Sequence, residues 1–378
     1  MDSYLNVPLS PVQFPLTFKA MQLALEGEVA PGFVVGAWQK KRPEQFLLGS
    51  WGDRRIVPSR QPMSVETIFD LASLTKVVAT APLAAALVDR GWLSWNTSVT
   101  SILPEFSAPE VEVRHLLSHT AGFVAWKPFW QTLREQLAPG GGVSGLEKAP
   151  LRTRQQLMRK LILAEVPDEK PGTRAVYSDV SFLLLGFLLE ELTGHPLHQA
   201  VKTWVWDPLG LTEFQFRFGH NPSETIAATE NCPWRERILQ GEVHDDNCWA
   251  MGGVGGHAGV FGTAESLLKY IRSLAMGRFL SSKTLAVMWT PALSPLDCGR
   301  TLGWDTPSAE GSSAGKFFSR RSVGHLGFSG TSLWYDLDAE VGIVLLSNRI
   351  HPSRENGKMK EFRPVLHNAL RADLLQMT

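Results

Sequence analysis

Phe69-Asp70-Leu71-Ala72-Ser73-Leu74-Thr75-Lys76-Val77-Val78-Ala79-Thr80 decides how the rest of the chain is read. Ser73 and Lys76 lie three apart, so on a helix they share a face. If that helix begins at Ser73, the hydroxyl sits beside the amine at the positive end of the helix dipole. A serine hydroxyl is a poor nucleophile at neutral pH, and a neighbouring base that takes its proton makes it a useful one. A lysine serves as that base if desolvation or a nearby positive field lowers its pKa. Leu71, Ala72, Leu74, Val77 and Val78 supply apolar surroundings suited to that desolvation. Taken alone, Ser-x-x-Lys also describes an N-cap followed by a solvated lysine.

Two further elements narrow the reading. Tyr177-Ser178-Asp179 follows the turn signal Pro171-Gly172 and precedes the apolar run Phe182 to Leu189. It therefore lies on a loop feeding a buried helix, where a phenol can be aimed into a cleft and exchange a proton with the lysine. The same triplet is also compatible with a half-buried tyrosine followed by an N-cap at Ser178 or Asp179. His325-Leu326-Gly327 comes before Phe328 and a predicted strand pair closed by the turn Leu337 to Glu340. Small residues at Gly324, Gly327 and Gly330 let a ligand approach the strand backbone. The N–H of Phe328 and the N–H of Ser73 could then act as an oxyanion hole.

Three such elements in this order resemble the penicillin-recognising serine hydrolases, the branch with class C β-lactamases, D-amino-acid peptidases and related esterases. The resemblance extends over nearly the whole chain. It includes the Phe69 to Ser73 lead-in, His115-Leu116-Leu117-Ser118-His119-Thr120-Ala121-Gly122, and Gly255-Gly256-His257-Ala258-Gly259-Val260-Phe261-Gly262-Thr263-Ala264. It implies Ser73 as acylated nucleophile, Lys76 as its base, Tyr177 as second acid/base, and Phe328 N–H as half of the oxyanion hole. Asp179, His325, Leu326 and Gly327 fall at positions that bind substrate in the family. Asp179 stands where class C enzymes usually carry asparagine, and an ionised carboxylate only accepts hydrogen bonds. Leu326 stands where threonine usually helps to bind a substrate carboxylate, and His325 makes the positive charge there conditional on pH. Both departures point to an uncharged ester or amide rather than a penicillin.

Lysine plus arginine equals aspartate plus glutamate at 37 each, so no bulk charge recruits nucleic acid or an anionic membrane. The expected partner is a small ester, amide or short peptide, with no cofactor. Cys232, Cys248 and Cys298 form neither a disulfide framework nor a metal set. The segment Met1 to Lys19 shows no charged region followed by an apolar one, which points to a cytoplasmic protein, or to an exported one if a leader has been removed. The apolar runs Val77 to Val88 and Phe182 to Leu189 are short for a bilayer and suit buried helices.

Helices are expected over Thr17 to Leu25, Ser73 to Asp89, Val113 to Ser118, Thr153 to Ala164, Ser181 to Thr193, Ala264 to Met276 and Glu361 to Gln376. Strands are expected over Phe33 to Gln39, Gln45 to Trp51 and within Val323 to Asn348. Pro139-Gly140-Gly141-Gly142-Val143-Ser144-Gly145 reads as a flexible insertion or lid tip. The fold class is α+β, an α/β sandwich. An antiparallel sheet with N- and C-terminal helices is built from 1–72 and 260–378, and 73–259 forms a mainly helical lobe. Ser73 would lie where the two meet.

Other polar clusters read as structural or cleft-lining. His244-Asp245-Asp246-Asn247 has no partner cluster at zinc-like spacing. His115 and His119 lie four apart without an intervening glutamate, and belong to a structural segment in the family. His257 lines the cleft or packs a turn. The expected activity is serine hydrolysis of an ester or amide through an acyl-serine. The alternatives are a penicillin-binding D-amino-acid peptidase or weak β-lactamase, and a non-catalytic relative that only binds.

Overall fold

Valine, phenylalanine and tryptophan alternate along Gly32–Gln39 so that successive side chains face opposite sides, and both sides are covered. Val35 and Ala37 enter one apolar cluster with Phe14, Met21, Phe362 and Leu366, whereas Val34 and Trp38 enter another with Leu268, Ile271 and Val77. The same split separates Ile343 and Leu345 from Val344 and Leu346 on the neighbouring strand Val341–Ser347. A sheet buried on both faces needs a layer on each. The computed structural model, described here for residues 4–216, 225–291 and 299–377, shows these layers.

The strand order is Leu5–Pro8, Gln45–Arg55, Gly32–Gln39, Val341–Ser347, Ser332–Asp336 and Val323–Leu326, with Gln61–Pro62 added against Gln45–Arg55. Helices Pro15–Glu26 and Met359–Gln376 cover one face. Helix Ala264–Ala275 and the helical body cover the other. The expected strands and the flanking terminal helices are present, and the expected antiparallel pairing holds with one exception. Leu5–Pro8 pairs parallel to Gln45–Arg55 and extends the sheet at its far edge. This four-residue strand carries one alternation, too little to register as a sequence pattern.

Two other expectations are corrected. Gly142–Lys148, which overlaps the expected lid tip at Gly142 to Gly145, is a short helix that buries Leu146, so its glycines do not prevent ordering. The Ser73 to Asp89 helix is not uniform. Ala72–Leu74 is a 3₁₀ turn, Lys76–Thr80 is a π turn, and regular helix runs over Ala81–Asp89. Pro82 explains the irregularity, because proline has no N–H for the carbonyl four residues earlier. That carbonyl, of Val78, instead accepts the indole N–H of Trp206 at 2.9 Å. In the π turn the Ala81 N–H goes to Lys76 O, and Val77 O accepts the Tyr270 hydroxyl.

The run Ala72–Asp89 is apolar and long enough to cross a membrane by length and composition, but 83% of it is buried inside the protein. That burial is the mark of a core helix. Cys232 and Cys248 are free and buried; Cys298 lies outside the described residues.

Candidate active site

Three segments from distant parts of the chain meet at Ser73. The first is the nucleophile loop itself. Ala72 adopts a positive φ of 48°, a region unusual for a residue with a side chain. The Asp70 carboxylate accepts the Ala72 N–H at 2.9 Å and the His244 N–H at 2.7 Å, fixing this turn against a second loop. The turn after the edge strand Val323–Leu326 is tied down likewise. Ser329 Oγ donates to Asp70 O at 2.8 Å and Thr331 Oγ1 donates to Leu71 O at 3.2 Å. Gly327 has to be glycine, since a Cβ there would lie 2.0 Å from Thr331 Oγ1 and 2.8 Å from Leu71 O.

Lys76 is fully buried, and its ammonium has three acceptors: Ser73 Oγ at 3.1 Å, Asp179 Oδ1 at 2.7 Å and the His257 carbonyl at 3.1 Å. The Lys76 amine also sits 4.9 Å from the centre of the Tyr177 ring. The Tyr177 phenol interacts with both Lys76 and Ser73; burial pushes it up, against the opposing pull of Lys76. The expectation that desolvation lowers the Lys76 value is corrected. Burial does act downward, but the Asp179 carboxylate and Tyr177 outweigh it, and the amine is held above the ordinary lysine value. Asp179 therefore contacts the base while also lining the cleft. Ser178 N-caps the helix Asp179–Thr193, its side chain accepting the Ser181 N–H. This cap aims Tyr177 and Asp179 at Ser73, so both readings of the triplet hold together. His119, with a positive φ of 58°, accepts the Ser178 N–H through Nδ1 at 3.0 Å and packs its ring at a tilt against Tyr177, centroids 4.6 Å apart.

On the opposite side lie His325, Leu326, Gly327 and Phe328. His325 Nδ1 lies 2.8 Å from Leu326 O. Burial, with Lys76 and Arg300 nearby, drives the imidazole well below its usual value. The pH-conditional charge expected at His325 is therefore absent near neutrality. Phe328 is 50% exposed, yet its ring is fixed between His244, stacked at 5.6 Å, and the Arg349 guanidinium at 4.6 Å. Arg349 Nε donates to Phe328 O and Arg363 Nη2 donates to Gly327 O, both at 2.9 Å. Neither arginine has a carboxylate partner among the described residues. Burial and the nearby Arg349 lower Arg363 to about 10.

Ser73, Tyr177, Asp179, His244, His325, Leu326, Gly327, Phe328, Arg349 and Arg363 line one cleft of about 840 Å³, together with Trp126, Asp245, His257, Arg300 and Met359, and Lys76 lies beneath it. The sequence reading thus named Ser73, Lys76, Tyr177, Asp179, His325, Leu326, Gly327 and Phe328, and the fold brings all eight together. It did not name Arg349 or Arg363, which come from the last strand's exit and the C-terminal helix. No local pattern marks them.

A family model described as Beta-lactamase matches residues 20–365. The chain is 30% identical over 329 residues to a putative D-alanyl-D-alanine carboxypeptidase of Salmonella agona strain SL483, covering 78% of this chain and 72% of that one. Among solved structures it is similar to EstCE1, a hydrolase with promiscuous acyltransferase activity, at 21% identity and a TM-score of 0.71, covering 94% and 98% of the two chains. It is also similar to unliganded simvastatin synthase (LovD) from Aspergillus terreus, at 21% identity and a TM-score of 0.70, covering 96% and 99%.

Proposed function

The chain belongs to the beta-lactamase family, and from that premise we propose that it is a serine hydrolase that cleaves an ester, amide or short peptide through an acyl-Ser73 intermediate. The observation that carries this reading is the 3.1 Å contact between Ser73 Oγ and the buried Lys76 amine at the edge of an open cleft. Ser73 Oγ bonds to the substrate carbonyl carbon as its proton passes to Lys76. An amine that has given up one proton keeps two N–H groups, which Asp179 and the His257 carbonyl accept. Its lone pair is then left facing Ser73. The oxyanion forms between the N–H groups of Ser73 and Phe328, and each such donor contributes about 3 kcal/mol in the transition state. Collapse expels the alcohol or amine, protonated through Lys76 and Tyr177, and water then cleaves the acyl-serine. Peptide mapping after fluorophosphonate labelling tests the assignment. The adduct is expected on Ser73 and absent in Ser73→Ala; an adduct elsewhere overturns it.

A second reading, a D-amino-acid peptidase, is favoured by one specific observation. Arg349 and Arg363 present two guanidinium groups at the cleft without a carboxylate partner among the described residues, an arrangement suited to a substrate carboxylate. It qualifies the uncharged substrate expected from Leu326. The Salmonella relatives named as carboxypeptidases support the same direction. Comparing a peptide ending in a free carboxylate with its amide, in wild type and Arg363→Met, separates the two. Preference for the free acid that Arg363→Met abolishes supports the peptidase; indifference to the carboxylate supports the neutral ester or amide.

A further inference from the structure

We infer that Asp245 and His257 are positioning residues for the Lys76 base. The inference rests on the reading of Ser73 as nucleophile and Lys76 as base.

A base must present its lone pair to the group it deprotonates. An amine on a flexible four-carbon stem can turn, so its other hydrogens must be held by groups that only accept. Asp179 is one such group and the His257 carbonyl is the other. The first is a side chain whose role is evident from its charge. The second is a backbone atom, and its aim depends on what fixes residue 257.

That fixing is done largely by the side chain of the same residue. His257 is buried, and Nε2 lies 2.8 Å from Asp245 Oδ1. An ionised carboxylate only accepts, so Nε2 is the donor. Nδ1 has no hydrogen-bond partner among the described residues and lies against Gly255, where a Cβ would come within 3.0 Å of it. Asp245 is itself anchored: its Oδ1 accepts the Cys248 N–H at 2.7 Å and caps the short helix Asp246–Ala250. Against burial, His257 and the Cys248 N–H hold Asp245 ionised, well below the usual carboxylate range. The preceding residue, His244, is bound through its N–H to Asp70 on the nucleophile loop.

The glycine loop around His257 has little freedom of its own. Thr80 Oγ1 donates to Gly256 O at 2.6 Å, and a Cβ on Gly256 would lie 2.1 Å from Phe182 O. The loop is thus wedged between the Lys76–Thr80 turn and the helix Asp179–Thr193, the two elements that carry Lys76 and Asp179. The chain from Asp245 through His257 to Lys76 is continuous. A purely structural pair needs no such terminus at the base.

The test compares Asp245→Ala, Asp245→Asn, His257→Leu and the double variant Asp245→Ala/His257→Leu on a chromogenic ester, with melting curves to confirm folding. Misplacing a reacting group by about an ångström costs on the order of a hundredfold, so His257→Leu and Asp245→Ala should each lower kcat by roughly tenfold to a hundredfold with KM little changed. The rate of fluorophosphonate labelling at Ser73 should fall in parallel. Asparagine keeps the acceptor for Cys248 and His257, so Asp245→Asn should recover much of what Asp245→Ala loses. The double variant should be little worse than the poorer single one. Folded variants that keep kcat and labelling rate, or that raise KM alone, overturn the inference while leaving Ser73 and Lys76 in place. If the single variants do not fold, Asp245→Asn with wild-type stability and no rescue of kcat also overturns it. Failure of wild-type Ser73 to label instead defeats the reading on which the inference stands.

Discussion

On one flank of Ser73, the Lys76 ammonium donates to a hydroxyl, a carboxylate and a carbonyl, so every hydrogen it carries is accounted for. On the other flank, His325 Nε2 and Arg363 Nε are buried with no partner among the described residues, and the exposed Phe328 ring forms the wall. Buried polar groups are normally satisfied within the fold. The Lys76 ammonium obeys that rule before any substrate arrives, although His119 Nε2 and His257 Nδ1 beside it have no partner among the described residues. The strand flank leaves groups for a ligand to complete. On the proposed function, the difference separates chemistry from recognition: the Lys76 ammonium is held by the protein's own acceptors, and selectivity falls to the flank where His325 and Arg363 are left for a ligand to complete.

The sharpest way to break this comparison is at the nucleophile. Ser73→Ala should abolish acylation and lower ester turnover by on the order of ten-thousandfold or more, the scale for losing a covalent nucleophile. Burst kinetics and intact-mass measurement check it. Residual turnover near wild type would mean that the satisfied flank is only a buried ion pair.

Next in size are the proton-handling residues. Lys76→Met and Tyr177→Phe should each lower turnover by about a hundredfold or more. The two groups interact with each other and with Ser73, so the double variant should be little worse than the poorer single one. If the losses multiply, Tyr177 acts on the substrate independently of Lys76. If Tyr177→Phe resembles wild type, the tyrosine merely packs against His119.

The third test concerns Asp179, whose pairing with Lys76 spans 103 positions. The carboxylate holds Lys76 above its ordinary value, so the free-base fraction grows only as pH rises. The low-pH limb of kcat/KM, which reports the free enzyme, should therefore lie on the alkaline side in wild type. It should move toward lower pH in Asp179→Asn. The titratable and charged groups around the amine that remain in both proteins are Tyr177, His119, His325 and Arg300. The same sign governs stability. A raised lysine value contributes stability that is present below the unfolded value and is lost as pH rises through the folded one. Alkaline melting of wild type should thus be steeper than that of Lys76→Met. A limb that does not move in Asp179→Asn would return Asp179 to the substrate-binding role expected from sequence.

These outcomes also mark how far the sequence could be read. Ser73, Lys76 and Tyr177 were legible because short motifs fix local geometry, and the terminal helices and central strands were legible because their apolar periods are long. The sequence reading put Asp179 at the cleft without its contact to Lys76, since that partner is remote and nothing local reveals which side chain it meets. The π turn at Lys76–Thr80 had a visible cause in Pro82, which was absorbed into a single apolar helix. Arg349, Arg363 and the Asp245–His257 contact depend on packing between segments far apart in the chain. Periodicity carries no information about such pairings.

The smallest effect is expected on the unfinished flank, at Leu326. Leucine adds apolar surface where a hydroxyl would otherwise donate, and its side chain packs beside the cluster under the C-terminal helix. Leu326→Thr restores a donor at the cleft, next to Gly327, whose carbonyl is already engaged by Arg363. One hydrogen bond to a charged group contributes about 1.5 to 3 kcal/mol, and losing part of the leucine packing offsets some of it. The gain in penicillin acylation should therefore sit toward the low end of that range, roughly tenfold, with ester turnover nearly unchanged. Stopped-flow acylation of Ser73 by a penicillin, set beside chromogenic ester kinetics, measures both. An equal rise in both rates would place residue 326 on the common acyl path rather than in the selection of charge. Efficient penicillin hydrolysis by the wild type would show that Arg349 and Arg363 already supply what the missing hydroxyl does not, and that the strand flank is complete without it.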